Sequence, residues 1–458
     1  MMARPTIPKA FTAAPLLAAS LLVSATHCSA EDLLSAYREA MLRDPAYAAA
    51  RHALEAAEYR VPQARAGLLP TLGIAAADSR QHGDASFNDA PYERRDVTSR
   101  NWSLQLSQPL LRPASWAIYS QAEAQARQAA AQFRQAGQDL ILRVAQAYFD
   151  VALATESLAV ATAQHGAVEQ QWQLAKRNFE VGMTTVTDVH EAKSRLDLAR
   201  SQRIAASNEL TIKQAELERI TGRPTDRVAP LDAAATPPMP QPTDVREWLA
   251  QAAAASPLVA VQTAAVEAQE HEVARGRAGH APTLDLNASY GSTHASGSMT
   301  SPSDIPVRNR NARQLGVQLN LPLWAGGGVA ARVDEARANL DRARAELEAA
   351  RRQAVTLARQ AYSGVVAGQA QIEALSSAVA SSSDSVDANR VGYRIGTRIN
   401  IDVLNAEQQL YTTRRDLARA KIETLMHGLR LKAATGSLDE SDVVALNTLL
   451  ATNGKDTR

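Results

Sequence analysis

The chain repeats its own sequence once along its length, and this duplication is the strongest constraint on its fold. Ala66 matches Ala278 at an offset of 212, and Thr221 matches Thr435 at an offset of 214. The matching segments are 44–45 with 256–257, 66–72 with 278–284, 107–110 with 320–323, 179–182 with 393–396, and 221–222 with 435–436. Because the matches keep their order and spacing, they predict two copies of one supersecondary unit rather than unrelated domains.

The repeat divides the chain into five predicted regions. They are a signal peptide (1–30), a first structural repeat (31–232), a Pro-rich linker (233–242), a second structural repeat (243–440), and a C-terminal tail near the equatorial region of the helices (441–458). The signal peptide is predicted because Arg4 and Lys9 precede a short apolar run that ends in small residues at Ala30. Cys28, the single Cys, is an alternative acceptor for a lipid.

Long segments without Pro predict helices that far exceed those of ordinary globular domains. Segments Ser115–Glu180 and Val329–Val391 would each span roughly 90–100 Å as α-helix. Their Ala and apolar residues recur at alternating intervals of three and four, which is typical of coiled-coil packing. The return helices are predicted from about Val186 to Ile220 and from Ile401 to Ala434, so each long helix has a partner about half its length.

Each half also contains strands with one apolar and one polar face. In segment 283–290, for example, Leu284 and Leu286 alternate with Asp285 and Asn287. This period of two fits a soluble sheet on a helical core, and it also fits a membrane barrel with a wet lumen. The polar segments 83–98 and 296–311 are predicted to be long loops, which would be extracellular in a barrel.

The strand count favours an oligomer if the strands form a barrel. Two strands per half give four per chain, and eight is the usual minimum for a membrane barrel. A dimer would supply 8 strands and a trimer 12, and alternation alone does not choose between them. Beyond the signal peptide, we expect no apolar run near the ~20 residues of a spanning helix.

Composition excludes several other classes of function. Lys and Arg total 49 against 48 Asp and Glu, so no broad basic surface for nucleic acid is expected. A single Cys excludes a Cys-based zinc site, and we predict no metal, cofactor or catalytic residue. Gly326-Gly327-Gly328 precedes a helix without the Lys-Ser/Thr of a phosphate-binding loop, so a strand-to-helix junction is the better interpretation.

The mature chain resembles the TolC family of bacterial outer-membrane channels. The residues that carry the resemblance are Leu69-Pro70-Thr71-Leu72, Ala147-Tyr148-Phe149-Asp150-Val151, Phe179-Glu180-Val181-Gly182, Ile220-Thr221-Gly222, Leu321-Pro322-Leu323-Trp324, and Gly392-Tyr393-Arg394-Ile395-Gly396-Thr397-Arg398. Their order runs through nearly the whole chain. The resemblance implies an α+β membrane protein, in which four strands per chain form a trimeric 12-stranded β-barrel that continues into a long coiled-coil periplasmic tunnel.

The resemblance also implies the location, the partners and the work of the chain. It places a homotrimer among the lipids of the outer membrane of a Gram-negative bacterium, reaching into the periplasm toward an adaptor protein and an inner-membrane ABC or other translocase. We expect export of cargo, by type I secretion of a toxin-like protein in the first place. Efflux of small molecules is the alternative, and a periplasmic scaffold or a secreted enzyme are more distant ones.

Site residues follow from the resemblance position by position. Tyr393 and Arg398 match the family's periplasmic gate, and their partners match Asp188 and Gln171 on the neighbouring coiled coil. An Arg fork and a Tyr hydroxyl can tie a mobile coiled coil to a static one by a few breakable bonds.

Two further sets of residues match the tunnel entrance. Asp402 corresponds to one of two inward-facing aspartates, whereas Asn405 replaces the second, so we expect a weaker preference for cations. The helical turns that would contact the adaptor contain Gly182, Met183, Gly396 and Thr397.

Overall fold

The computed structural model describes residues 31–450 except 89, 226, 233–234 and 303–304, so the predicted signal peptide and the last eight residues lie outside it. The helices are α1 (Leu33–Arg43), α2 (Pro45–Ala66), α3 (Pro113–Glu180), α4 (Val186–Thr221), α5 (Val245–Ala255), α6 (Pro257–Arg277), α7 (Gly328–Arg394), α8 (Asn400–Thr435) and α9 (Glu440–Asn447). The strands are β1 (Thr71–Ala85), β2 (Glu93–Leu111), β3 (Thr283–Ala295) and β4 (Val307–Asn320). Each half therefore has two short helices, two strands, a long helix and a return helix, as the duplication predicts.

Local chemistry sets the helix ends that both halves share. Asp44 ends α1 and accepts a hydrogen bond from the Tyr47 amide at 3.1 Å, while Pro45 opens α2. Ser256 and Pro257 repeat this break between α5 and α6. Gly222 and Gly436 end α4 and α8 with φ of 70° and 76°, a left-handed conformation that favours Gly.

The long helices pair in two antiparallel hairpins. Helices α3 and α7 have 68 and 67 residues, which corresponds to about 100 Å each. Helix α4 packs along α3, α8 packs along α7, and α8 also contacts α3. The predicted small-residue stripe of α7 is largely buried, at Val333, Ala336, Ala343, Ala350, Ala354 and Ala361, but Leu357 is 46% exposed.

The strands form one antiparallel sheet in the order β1-β2-β3-β4. Its apolar face is open in a single chain, where Ile74 and Leu315 are about three-quarters exposed. Within the described residues, β1 and β4 each pair on one side only. The strands extend into residues that were predicted to be loops, because polar residues beyond the apolar band also pair between strands. The connections are therefore shorter than predicted and span 86–92 and 296–306.

The largest buried cluster lies around the middle of α3, where α1, α4, α8 and α9 meet. Tyr148 and Phe149 are fully buried there, and the Tyr148 hydroxyl donates to the carbonyls of Glu31 (2.9 Å) and Ala229 (3.0 Å). The segment before the second half is thus tied to the first helices. The five predicted region boundaries are compatible with this arrangement and stay a prediction.

One described stretch, Val245–His280, is long and apolar enough to cross a membrane by length and composition. The sequence-based expectation of no such stretch is therefore wrong by this measure. The stretch breaks at Ser256-Pro257. Its second part, α6, packs against α3 and α7, and Val259 lies in a buried cluster with Ala354 and Ala358 of α7. Its apolar composition serves this packing within the helical layer.

Candidate gate at the helical tips

The α3–α4 tip is a tight turn closed by a side-chain cap. Gly182 has φ of 76°, and Met183 beside it is 78% exposed. Thr185 caps α4: its hydroxyl accepts from the Asp188 amide at 3.3 Å, and the Asp188 carboxylate accepts from the Thr185 amide at 3.1 Å. The Thr184 hydroxyl also donates to Asp188, and these bonds hold the pKa of Asp188 below its ordinary value.

The α7–α8 tip has the same glycine but a different cap. Gly396 has φ of 81°, and the Thr397 amide and hydroxyl both donate to the Gly392 carbonyl, at 2.9 and 3.2 Å. Helix α8 begins after Ile399, which has no polar side-chain group to cap it. Ile395 and Ile399 are 70% and 63% exposed, so the tip presents apolar surface to solvent.

Two of the predicted gate residues, Tyr393 and Arg398, take part in separate contacts within one chain. The Tyr393 hydroxyl accepts a hydrogen bond from Asn178 Nδ2 at 3.2 Å, which joins α7 to the end of α3. Arg398 lies just before α8, and its Nη1 is 3.7 Å from Asp402 Oδ2 in the first turn of that helix. Asp188 is bonded to Thr185 in the cap of α4. Gln171 Oε1 is buried with no hydrogen-bond partner among the described residues.

Asn178 is a partner of the predicted gate residue Tyr393 that the sequence did not indicate. It lies one residue before Phe179-Glu180-Val181-Gly182, so the repeat motif marked its neighbourhood but not its role. The two predicted entrance residues differ in exposure, since Asp402 is partly covered and Asn405 is exposed. Because Arg398 lies beside Asp402, part of the carboxylate charge is balanced within the chain.

A second contact between the hairpins lies above the tips. Leu404 packs in a small cluster with Val168 and Leu196, flanked by Trp172. Beside it, Arg195 Nη1 donates to Gln408 Oε1 at 3.5 Å, which links α4 to α8.

An ion pair with a buried carboxylate joins α7 to α8 at the same level. Glu407 is almost fully buried, and its Oε1 accepts from Arg390 Nε at 3.1 Å and from Nη2 at 2.7 Å. A residue spacing of 17 across a turn carries no recognisable sequence signal, so the pair emerges only from the structure.

An apolar-faced sheet with open edges, extended by two helices of about 100 Å that each pair with a shorter return helix, is the architecture of a channel protein of the bacterial outer membrane. Residues 36–223 and 248–437 match the profile of the family described as "Outer membrane efflux protein". The chain belongs to this family, and the resemblance to TolC channels is confirmed. Members of the family are channels of the outer membrane.

Individual relatives cover nearly the whole chain. The chain is 32% identical to "Proteases secretion protein PrtF" of Dickeya chrysanthemi over 94% of both proteins. It is 31% identical to "Outer membrane protein TolC" of Escherichia coli over 95% of this chain and 88% of that protein. It is 32% identical to "Alkaline protease secretion protein AprF" of Pseudomonas aeruginosa over 93% and 89%.

The fold is also that of a solved outer-membrane channel. The Campylobacter jejuni CmeC channel superposes with a TM-score of 0.76 at 17% identity, over 92% of this chain and 90% of that structure. The predicted fold class and outer-membrane location are therefore confirmed, and the chain is an outer-membrane channel of the type that serves type I secretion or efflux.

Proposed function

We propose that the chain is the outer-membrane duct of a type I protein secretion system, with no enzymatic activity of its own. The observation that carries the proposal is the similarity to PrtF and AprF, which are named for the secretion of proteases, along at least 93% of this chain. Efflux of small molecules is the second candidate, because the family whose profile matches the chain is described as "Outer membrane efflux protein".

The cargo is tested in a deletion strain complemented with the wild-type chain. Loss of a secreted protein from the culture medium, with unchanged sensitivity to toxic small molecules, supports the proposal. The opposite pattern supports efflux and overturns it.

The functional unit in this proposal is a homotrimer. The family resemblance implies three copies, and quasi-symmetry supports their joining edge to edge. A shift of β1 by 212 positions and of β2 by 213 takes the pair Thr71–Ser107 onto Thr283–Asn320, which is also paired in the sheet. The same shifts convert the β2–β3 pair Gln105–Ser289 into Gln318 of β4 opposite Ala77 of a neighbouring copy's β1. Three copies joined this way close a 12-stranded barrel without free edges.

Cysteine cross-linking tests this seam directly, because the mature chain has no Cys if the signal peptide is cleaved after Ala30. A chain carrying Gln318→Cys and Ala77→Cys should form disulfide-linked oligomers on denaturing gels. The matched controls pair Gln318→Cys with Ala75→Cys or with Ser79→Cys, which shifts the register by two. Cross-linking that is stronger in a control than in the predicted pair contradicts the seam.

The gate of the proposed duct comprises Tyr393, Arg398, Asp188 and Gln171, with Asn178 added. Tyr393 ties the α7–α8 hairpin to α3 through Asn178, and a contact of this kind can break when the hairpin moves. Arg398, Asp188 and Gln171 are proposed to meet hairpins of neighbouring copies in the trimer through hydrogen-bonding groups that their contacts within the chain leave over. The entrance carboxylate is Asp402, whose preference for cations is reduced by Asn405 and by the nearby Arg398.

The exposed tips are the proposed docking surface for a periplasmic adaptor, which would couple the duct to an inner-membrane ABC or other translocase. Gly182 and Gly396 set the two turns, and Met183 and Thr397 are exposed next to them. Replacing Met183 by Asp should weaken co-purification of a co-expressed periplasmic adaptor that binds the wild-type chain, whereas trimer assembly should be unchanged. Equal co-purification overturns the assignment of this turn.

A further inference from the structure

The outer ends of β1 and β2 carry a covered patch on the polar face of the sheet. Among the described strand residues, Arg95, Val97 and Gly291 are buried, with Arg95 at 7% exposure. Arg95 and Val97 share the face of Gln105, opposite the apolar face of Trp102. Since this face is otherwise exposed, the Arg95 guanidinium can be buried only if another part of the chain lies over it.

The cover is segment 296–302, which follows β3. The Arg95 guanidinium donates to three of its carbonyls, at 3.1 Å (Ser298), 2.8 Å (Ser301) and 3.2 Å (Pro302). Hydrogen bonds from a charged donor are stronger than neutral ones. Three of them from one side chain fix the path of the whole segment across the polar face.

The surface of β1 beneath segment 296–302 leaves room for one of its side chains. Gly83 lies directly opposite Arg95 in the β1–β2 register. A Cβ at position 83 would lie 3.1 Å from the Met299 Cε, so the missing side chain leaves room for Met299. The Phe87 ring lies 5.0 Å from the Arg95 guanidinium, a cation–π distance, which brings the β1–β2 connection to the same point.

We propose that segment 296–302 is an extracellular lid on the channel, latched by Arg95, and that it sets the size limit for solutes that enter the barrel from outside. The proposal rests on the proposed function in one respect, namely that the polar face lines the lumen of a closed barrel. Small solutes pass the lid, and large ones are excluded until the latch opens. The lid thus acts at the end of the duct opposite the helical gate.

Cysteine labelling of intact cells tests the lid in the full-length chain. Gln105→Cys places a thiol on the lumen face below the lid, and Leu104→Cys places one on the apolar face. A small charged maleimide should label Gln105→Cys and not Leu104→Cys, and a maleimide linked to a polyethylene glycol chain should label Gln105→Cys slowly. Adding Arg95→Ala should raise the rate for the large reagent about tenfold or more, because three charged hydrogen bonds are lost.

Three further variants separate the lid from other effects. Arg94→Ala, on the opposite face one residue away, should leave the rate for the large reagent unchanged. Arg95→Lys should give an intermediate rate, since an ammonium cannot span three carbonyls. Gly83→Gln should also raise the rate for the large reagent, because the new side chain would displace Met299 from the surface of β1. This variant tests the lid if Arg95→Ala fails to assemble.

The outcomes distinguish a failure of the barrel from a failure of the lid alone. If the small reagent labels Leu104→Cys as readily as Gln105→Cys, the barrel is wrong, and the duct and the lid are both overturned. If the small reagent discriminates but Arg95→Ala and Gly83→Gln leave the large reagent excluded, or Arg94→Ala admits it equally, the lid alone is overturned.

Discussion

Removing the Tyr393 hydroxyl should open the channel more often. Its one described hydrogen bond, from Asn178 at 3.2 Å, is neutral and partly exposed, so it contributes about 1 kcal/mol. If three copies open together, Tyr393→Phe removes about 3 kcal/mol, which is roughly a hundredfold in the opening equilibrium. Single-channel recording in planar bilayers measures the open fraction and the conductance, both of which should rise.

The matched variant is Asn178→Ala, which removes the other half of the same bond. The two substitutions combined should have little more effect than either alone, because they remove one interaction. Asn389→Ala is the control, since the Asn389 amide bonds to Ser385 on its own helix at 2.8 Å. Unchanged opening in Tyr393→Phe, or strictly additive effects with Asn178→Ala, refutes the gate contact.

Arg398→Ser distinguishes contacts within a chain from contacts between chains. Arg398 Nη1 and Asp402 Oδ2 are 3.7 Å apart and reach solvent, and a long surface ion pair of this kind contributes about 0.5 kcal/mol or less. A change in opening as large as that of Tyr393→Phe therefore requires that Arg398 also bind a neighbouring copy.

Four other variants test three separate parts of the structure. Arg143→Met should lower the free energy of unfolding by about 3–5 kcal/mol, because it isolates the buried Asp44 carboxylate, which now lies 2.6 Å from Arg143. Asp44→Asn should cost roughly 1 kcal/mol, since Asn still caps α2; urea unfolding followed by circular dichroism compares them. Burial raises the pKa of Asp44, but the bonds from Arg143 and the Tyr47 amide outweigh it, so the pKa is lowered. Stability from Asp44 is therefore present above about pH 4 and lost as the pH falls through the lowered pKa, and Asp44→Asn should flatten that loss. Asn405→Asp should increase selectivity for cations, measured as a reversal potential across a salt gradient. Gly368→Val should separate α7 from α8, because a Cβ there would lie 2.1 Å from the Thr424 hydroxyl, and should lower the melting temperature.

The helical part of the fold was predictable because its boundaries depend on single residues. Pro113 opens α3, and glycines at 182 and 396 fix the turns, so the predicted helix ends agree with the structure within three residues. The strands were less predictable. Their apolar alternation stops near Trp102 and Leu315, but backbone pairing continues through polar residues such as those of 93–101.

The contacts at the tips could not be derived from the sequence. Which side chains meet there depends on how far α3 and α7 rotate against one another over 68 and 67 residues, and small errors in helical phase accumulate over that length. Asn178 and the Arg390–Glu407 pair belong to this class. The resemblance located Tyr393 and Arg398, but it did not supply their partners within the chain.

The unequal caps at the two tips have a consequence for motion over time. Thr185 secures the first turn of α4, whereas Ile399 leaves the first turn of α8 without a side-chain acceptor. A cap of this kind contributes about 1 kcal/mol, so amide hydrogens at the start of α8 should exchange with deuterium roughly five times faster than those of α4. The two hairpins of the duplicated unit therefore differ: the start of α4 stays helical, whereas the start of α8 opens more often. The α7–α8 hairpin, which opens more often, is the one that carries Tyr393.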